Sequence, residues 1–229
     1  ISRGLVGSEM CIRDSLMGDN PVKLERELNS YVMDNILYKV NFPAEFHAQT
    51  AAEAAIKLHP QIAFDDIAHI NIHTQEPGIR IISKQGPLTN YADRDHCIEY
   101  IVAWCLLNGN LDANSYTDEA ASDSRIDSLR EITSTTENTE YTNRYYNLDE
   151  RAIPNKVTVT LKNGDVMEEE VIYPLGHRER REESKPYLKQ KFNNSLENTG
   201  LDQTFLSDAY NSLDLDKVEI YDILKKIYK

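Results

Sequence analysis

Cysteine is scarce in this sequence, and no long apolar run is present. The three cysteines show neither a pairing pattern nor the spacing of metal ligands, which excludes a disulfide framework and favours a reducing compartment. No stretch reaches the roughly 20 apolar residues that cross a bilayer, and no basic and then apolar signal sequence opens the chain. We expect a globular protein without a membrane partner, cytoplasmic, or in the mitochondrial matrix if the source is eukaryotic.

Positive charge is also in short supply. The 25 Lys and Arg residues are outnumbered by 38 Asp and Glu, which gives a formal net charge of −13 at pH 7. Because binding to nucleic acid depends on neutralising phosphates with basic side chains, this balance argues against a nucleic acid partner. Residues 110–150 hold ten acids against three bases, whereas residues 177–191 hold six bases against three acids. Any site for an anionic ligand must therefore be local.

The longest apolar run, Asp93–Gly109, contains the only Trp. Its apolar side chains fall on most sides of a helical projection, which predicts one buried helix over the whole run. Two acids at its start and the Asn108-Gly109 pair at its end suit the two helix termini. The polar groups beside this apolar rod, Arg94, His96 and Tyr100, are the first candidates for chemistry.

Elsewhere, periodicity predicts helices around a small sheet. Residues 157–161 and 166–173 alternate around Asn163-Gly164, the clearest hairpin signal in the sequence. Residues 67–74 predict a further strand, and the polar piece 133–143 predicts a loop or an edge strand. Helical segments are predicted at residues 44–60, 79–83, 115–121, 124–132, 185–196, 204–213 and 217–228.

These elements predict an α+β fold, in which a small antiparallel sheet with packed helices is followed by C-terminal helices. Residues 1–15 have no clear period and join abruptly to the segment after them, so we interpret them as non-native sequence and expect the natural chain to begin upstream. Residues 16–43 are then a lead-in, residues 44–184 the α+β domain, and residues 185–229 a helical segment.

Three segments are more specific than any periodicity. They are Lys39–His47 (KVNFPAEFH), Gly86-Pro87-Leu88 followed by Ala92–Cys97 (ADRDHC) and Tyr100, and Tyr173–Arg178 (YPLGHR). In this order they resemble the C-terminal half of the 2-methylcitrate dehydratases, in the MmgE/PrpD superfamily, from about residue 31 to at least residue 192. The resemblance implies a two-domain enzyme, of which this chain supplies an α+β lid and the helices that return to a helical domain.

The resemblance also implies a reaction. Such a hydro-lyase removes water from the tricarboxylate 2-methylcitrate to give 2-methylaconitate, in the methylcitrate cycle of propionate catabolism. Enzymes of this kind are implied to work without a metal ion, an iron–sulfur cluster or another cofactor, and usually as homodimers. Side chains must then take a proton from carbon next to a carboxylate, protonate the departing hydroxyl and hold three carboxylates.

Lys39, Tyr100 and His96 are the candidate catalytic residues. The first two match positions where the superfamily carries an active-site lysine and tyrosine, and His96 ends the Asp-Arg-Asp-His motif of the methylcitrate branch. Lys39 would neutralise a substrate carboxylate or the developing enolate, and His96 would exchange a proton near neutral pH. The structural alternatives are a solvated lysine, a packed phenol with one hydrogen-bond partner, and a histidine bonded to backbone.

Arg94, His47 and Arg80 are the candidate substrate-binding residues. Arg94 offers a planar fork for a carboxylate, and His47 stands one turn into a predicted helix that could present it to a pocket. Arg80, with the nearby Lys84, follows the predicted strand and could join an anion site. The alternatives are an ion pair of Arg94 with a neighbouring or distant acid, and a surface position for Arg80.

The remaining charged groups favour structural interpretations. His69 and His73 share one side of the predicted strand, but no third ligand is evident at metal-binding spacing, so we predict no metal site. Glu168–Glu170 predict a charged sheet edge that discourages association between sheets. The basic cluster at residues 177–181 suits substrate capture or pairing with the acidic stretch before it, and we favour a structural or interface role.

Two other functions stay open. One is related superfamily chemistry, such as decarboxylation of cis-aconitate or epimerisation of another polycarboxylate, which needs the same cations. The Asp93–Cys97 run favours the methylcitrate branch over these. The other is a non-catalytic binding or dimerisation module, or an inactive fragment with an exposed apolar face, which would bind apolar dyes and aggregate.

Overall fold

The computed structural model describes residues 35–197, together with Glu27 and Lys225. The predicted helices at residues 204–213 and 217–228 lie outside the described residues, as do residues 1–15 and most of the lead-in. Within the described part, no helix is both long enough and apolar enough to cross a membrane.

A four-stranded sheet forms the centre of the described region, with the strand order β2-β1-β3-β4. The strand β1 buries Ile70, Ile72 and Thr74 at alternate positions, as expected for β-branched residues facing a core on one side, after a register shift between Ile67 and His69. The strands are β1 (Ile67–Thr74), β2 (Thr133–Glu137), β3 (Asn155–Leu161) and β4 (Val166–Val171).

The α+β prediction is confirmed, but the sheet is mixed rather than wholly antiparallel. The pairs β1–β3 and β3–β4 are antiparallel, and the second of these is the predicted hairpin. The edge strand β2 instead runs parallel to β1, with Ile70 opposite Thr133. A parallel pair needs a long crossover, and the helices between residues 75 and 132 supply it.

Eight α-helices surround the sheet in the described region. They are α1 (Gln49–Leu58), α2 (Glu76–Ile82), α3 (Tyr91–Asp95), α4 (Ile98–Asn108), α5 (Asp118–Ala121), α6 (Ser124–Glu131), α7 (Thr139–Tyr146) and α8 (Arg181–Leu196). Helix α8 confirms the helix predicted at 185–196. It also crosses the predicted domain boundary at residue 185, which stays a prediction.

The core lies between the sheet and the pair of helices α1 and α4. Helix α1 packs on α4 and across β3 and β4, and its fully buried alanines, from Ala51 to Ala55, allow close approach. Helix α4 is buried on most sides, as its sequence predicts. Each large aliphatic side chain buried here contributes roughly 1.5–3 kcal/mol relative to exposure.

The single helix predicted over residues 93–109 is wrong in its first part. Helix α3 ends at Asp95, Cys97 is extended (φ −128°, ψ 107°), and α4 starts one residue later. In one continuous helix, Arg94 and Tyr100 would point about 120° apart, because successive residues advance by about 100°. The break instead lets both side chains bond the carbonyls of one turn, at Ser115 and Tyr116.

The predicted helix over residues 44–60 begins later than expected. Residues Phe46–Ala48 form a 3-10 turn, and α1 starts at Gln49. The buried Gln49 amide donates to the carbonyls of Phe42 and Ala44, at 2.9 and 2.7 Å, which holds the preceding segment outside the helix. Pro43 therefore precedes the helix instead of opening it.

Three other segments differ in detail from their predictions. The polar piece 133–143 divides into edge strand β2 and the start of α7, whose N-cap is Asn138. The predicted helix at 115–121 is a 3-10 turn, Ala113–Tyr116, followed by the short α5. The predicted turn at 79–83 belongs to α2, which starts three residues earlier and has a proline in its first turn.

Candidate active site

A cleft of about 750 Å³ opens beside the segment that begins the first motif. One wall is Lys39–Pro43, a second is α3 with the turn at residues 111–113, and the third is the face of α8 from Tyr187 to Ser195. The polar groups that line it include Lys39, Tyr91, Asp95, Asp112, Tyr187 and Lys191. Cations, carboxylates and hydroxyls therefore meet around one space.

Lys39 is an exposed cation of this cleft. Its Nζ lies 5.4 Å from the centroid of the Phe46 ring, and among the described residues no carboxylate pairs with it. Its carbonyl accepts a hydrogen bond from the Lys191 Nζ at 2.6 Å, which places a second ammonium beside the same backbone. Two neighbouring cations can attract a small polyanion despite the net negative charge of the chain.

His96 is exposed at the turn that follows α3. Its Nδ1 donates to the Asp95 carboxylate at 2.6 Å, and 48% of its side chain is accessible. Among the described residues, none forms a hydrogen bond with its Nε2. The pair places a histidine oriented by a carboxylate at the edge of the cleft that Asp95 lines.

His47 is buried and held on both ring nitrogens. Its Nδ1 lies 2.9 and 2.8 Å from the two carboxylate oxygens of Glu45, and its Nε2 lies 3.2 Å from the Tyr145 hydroxyl. Burial works to raise the pKa of Glu45, but hydrogen bonds and charge from His47 outweigh it and lower that pKa overall.

The segment with His47 and the turn with His96 are joined through backbone. The Glu45 amide donates to the Asp95 carbonyl at 3.3 Å. This bond sets the Lys39–His47 segment against the end of α3, so the structure brings the predicted residues Lys39, His47 and His96 onto neighbouring elements.

Tyr100 is placed in the interior, where its hydroxyl already has a partner. The residue is 2% exposed, and the hydroxyl donates to the Ser115 carbonyl at 2.7 Å. Burial raises the pKa of this phenol to about 12, so it stays protonated at neutral pH. A contact with substrate would require the turn at Ser115 to move.

Arg94 is also interior, at 5% exposure. Its guanidinium donates to the Tyr116 carbonyl at 2.7 Å and pairs with Asp118 at 2.8 Å. The acid that pairs with it is thus on α5 and not one of its sequence neighbours. The substrate roles of Arg94 and Tyr100 stay predictions, and their present contacts are structural.

Arg80 lies on the exposed surface of α2. Its side chain is 64% accessible and pairs with Glu76 one turn earlier, at 2.9 Å. Lys84 lies 3.6 Å from Asp93. Neither residue lines the cleft, and their substrate roles stay predictions.

Sequence reasoning missed the buried acid of α4, Glu99, which is 1% exposed. Its carboxylate accepts from the hydroxyls of Ser83 and Thr135, at 2.6 and 2.7 Å, and from the Lys84 amide at 3.1 Å. Burial, with the charge of Glu99 second, raises the pKa of the adjacent Cys97 thiol to about 11. The signal was present, since Glu99 is the one acid inside the apolar run.

The partners of His47 were missed as well. Glu45 lies inside the Lys39–His47 motif, two residues from the histidine, so its spacing could have pointed to it. Tyr145 is 98 residues away in sequence and belongs to a helix that no pattern predicted. No local signal could have found that contact.

Several charged groups were given structural interpretations from the sequence. Among the described residues, no group of three His, Cys, Asp or Glu could hold a metal ion, and the absence of a metal site stays a prediction. Glu168–Glu170 lie on edge strand β4, as predicted. From the basic cluster, Arg180 pairs with Glu53 and Glu183 rather than with the acidic stretch before it, and His177 stacks on Tyr173 at 4.6 Å.

Comparison with known proteins identifies relatives over most of the chain. The model of the MmgE/PrpD C-terminal domain matches residues 42–207. The chain is 53% identical over 185 residues to "2-methylcitrate dehydratase, mitochondrial" of Yarrowia lipolytica, a match that covers 78% of this chain and 36% of the relative.

Two bacterial relatives give the same picture. The 2-methylcitrate dehydratase of Cupriavidus necator is 48% identical over 189 residues, covering 80% of this chain and 39% of its own length. That of Escherichia coli K12 is 47% identical over 180 residues, covering 76% and 37%. The chain therefore spans well under half the length of the curated relatives it matches.

Proposed function

The chain belongs to the MmgE/PrpD family, and on that premise we propose that it is part of a hydro-lyase that dehydrates 2-methylcitrate to 2-methylaconitate. One observation carries the proposal: the family match over residues 42–207 includes segments that the fold sets around a cleft lined by Lys39. The named relatives, all 2-methylcitrate dehydratases, give the substrate.

In this proposal the cleft binds the tricarboxylate through its cations. Lys39 and Lys191 present ammonium groups to two carboxylates, and Lys39 neutralises charge as the carbon next to a carboxylate loses its proton. Positioned cations are worth more in a closed site than in water, because water competes less for them. In this proposal, the part of the relatives that this chain does not match closes the cleft.

Proton transfer in this proposal falls to the accessible histidine. The Asp95 carboxylate fixes His96 with Nδ1 protonated, which leaves Nε2 to accept or return a proton. His47, Arg80, Arg94 and Tyr100 complete the proposed site residues. We further propose that the complete enzyme is a homodimer that uses no cofactor, cytoplasmic in a bacterium or mitochondrial in a eukaryote.

A chimaera tests the function directly. Residues 39–197 of this chain replace the corresponding segment of the Cupriavidus necator relative, and the product is incubated separately with 2-methylcitrate, citrate and cis-aconitate. We expect 2-methylcitrate to give a product lighter by one water, measured by mass spectrometry, at a rate within about tenfold of the unaltered relative.

A folded chimaera that releases carbon dioxide from cis-aconitate and leaves 2-methylcitrate unchanged would move the assignment to a decarboxylase. A folded chimaera that binds the substrates without converting them would indicate a binding module. The unaltered relative is the positive control, and its circular dichroism spectrum is the reference for folding.

A further inference from the structure

The contact between His47 and Tyr145 is the strongest feature that the proposed function does not use. Three groups lie in line: a carboxylate on Glu45, the imidazole of His47 and the phenol of Tyr145. His47, in the middle of the line, is buried, and Glu45 and Tyr145 at its two ends are partly buried.

We propose that Glu45, His47 and Tyr145 form a proton relay whose substrate-facing end is the Tyr145 hydroxyl. The proposal rests on the dehydratase function proposed above. It gives the removal of the carbon proton to Tyr145, which is not among the residues that line the cleft, and it leaves His96 to protonate the departing hydroxyl. Tyr145 is then the catalytic residue of the relay, and Glu45 and His47 are positioning residues that act through it.

In the neutral ring, the contact with Glu45 determines which nitrogen of the histidine carries the proton. A carboxylate can only accept, so Nδ1 of His47 carries the proton that points at Glu45, and Nε2 of the neutral ring is left as an acceptor. The Tyr145 hydroxyl, 3.2 Å from Nε2, is then the donor of that bond. This is the order of groups in which a carboxylate orients a histidine and the histidine takes a proton from a hydroxyl.

His47 is also fixed in position by its backbone. The Glu45 carboxylate accepts from the His47 amide at 2.7 Å, and the carbonyl of His47 accepts from the buried Asn155 amide at 2.7 Å. Asn155 begins β3, so the relay is anchored to the sheet. Because both the amide and the carbonyl of His47 are hydrogen-bonded, the ring is pre-organised for proton transfer through Nε2.

The Tyr145 phenol lies among charged and titratable groups, which are Glu45, Tyr146, Glu76 and Arg80. Burial, with the neighbouring Tyr146 and Glu45 next, raises the pKa of Tyr145, so the phenol is protonated at neutral pH and its conjugate base is strong. Arg80 is the one cation among these groups, and it already pairs with Glu76 at 2.9 Å.

Removal of the carbon proton is accounted for within these three residues. As the C–H bond next to a substrate carboxylate breaks, its proton passes to the Tyr145 oxygen, and the proton of Tyr145 passes to His47 Nε2. The electron pair stays on the substrate carbon and then expels the hydroxide, which takes a proton from Nε2 of protonated His96 and leaves as water. Glu45 carries the charge opposite to the imidazolium, and in the reverse direction the same groups return the proton to carbon.

Kinetics of the chimaera described above test the relay. We expect Tyr145→Phe to lower kcat about 100-fold with KM within twofold, because only a proton-transfer group is lost. Tyr146→Phe is the matched control, since it removes the adjacent hydroxyl on the same helix, which bonds Glu76 and not His47, and it should leave kcat unchanged within twofold.

Two further variants separate positioning from folding. Glu45→Gln should lower kcat at least tenfold, and Glu45→Gln combined with Tyr145→Phe should be no slower than Tyr145→Phe alone, because the residues act as one unit. An active chimaera in which Tyr145→Phe retains kcat within twofold overturns the relay and leaves the dehydratase assignment intact.

A spectroscopic measurement on the 229-residue chain tests the relay independently of enzymatic activity. Nitrogen-15 NMR at neutral pH should show His47 protonated on Nδ1, and Glu45→Gln should shift the population toward the Nε2 tautomer. A wild-type His47 protonated on Nε2 alone overturns the relay. An inactive wild-type chimaera instead counts against the dehydratase function.

Discussion

The polar groups around α4 and those around the cleft have opposite surroundings. Inside, Glu99 and Tyr100 are almost fully buried, and their oxygens are bonded to hydroxyls and backbone. Outside, Lys39 and His96 are exposed and retain bonding capacity. A motif match therefore identifies candidate residues. Their burial and hydrogen-bond partners separate the residues that support the fold from those that are available to a ligand.

The largest effect expected from this comparison is loss of the buried carboxylate. Glu99→Ala leaves Ser83, Thr135 and the Lys84 amide without their acceptor, so we expect the free energy of unfolding to fall by about 3–5 kcal/mol. Urea denaturation followed by circular dichroism measures it. Glu131→Ala, on the exposed face of α6, is the control and should change stability by less than about 0.5 kcal/mol. If both substitutions lower the free energy of unfolding equally, the buried position of Glu99 does not distinguish it from an exposed acid.

A smaller effect is expected for the buried phenol. Tyr100→Phe removes one hydrogen bond and should lower the free energy of unfolding by about 1–2 kcal/mol at pH 8, measured by urea denaturation. If Tyr100→Phe instead lowers catalysis in the chimaera without any effect on stability, Tyr100 belongs with the residues available to a ligand, such as Lys39 and His96.

Tyr100 also makes the stability of the folded chain depend on pH. Because burial raises the pKa of Tyr100 to about 12, the folded state holds this proton more tightly than the unfolded chain does. Its contribution to stability is complete below about pH 10, the unfolded value, and is lost as the pH rises toward 12. Stability of the wild type should therefore fall more steeply than that of Tyr100→Phe over this range, and parallel curves would contradict the assignment.

The smallest effect on stability is expected at the cleft. Lys39→Met should change the free energy of unfolding by less than about 0.5 kcal/mol, because the ammonium is exposed and has no carboxylate partner among the described residues. In the chimaera the same substitution should weaken 2-methylcitrate binding about tenfold or more, measured by calorimetry. Lys162→Met, at the turn between β3 and β4, is the control for removing one positive charge and should leave binding unchanged. If Lys39→Met lowers the free energy of unfolding by more than about 1.5 kcal/mol, Lys39 supports the fold in the way that Glu99 and Tyr100 do.

Parts of the fold were predictable because their signals are local. Alternation and the Asn163-Gly164 turn predicted the β3–β4 hairpin, and the apolar run predicted α4. The break before Ile98 was not predictable, because it depends on a turn at Ser115 and Tyr116 that is distant in sequence. The parallel pairing of β2 likewise depends on where the intervening helices return the chain.

The candidate site divides in the same way. Its motif residues could be named from the sequence, and Glu45 lies within one of those motifs. Tyr145 could not be named, because it meets His47 across 98 residues through a helix without a clear pattern.

By itself the sequence determined the α+β class, the hairpin, the family resemblance and the identity of the motif residues, because periodicity and motifs are carried by neighbours along the chain. The tertiary structure alone decided which of those residues are buried. It placed Thr135 on the Glu99 carboxylate and Tyr145 on His47, and it left Lys39 open to the cleft. The reason is physical: a polar group is structural or available according to its solvent exposure and its hydrogen-bond partners, and both are set by segments far apart in sequence.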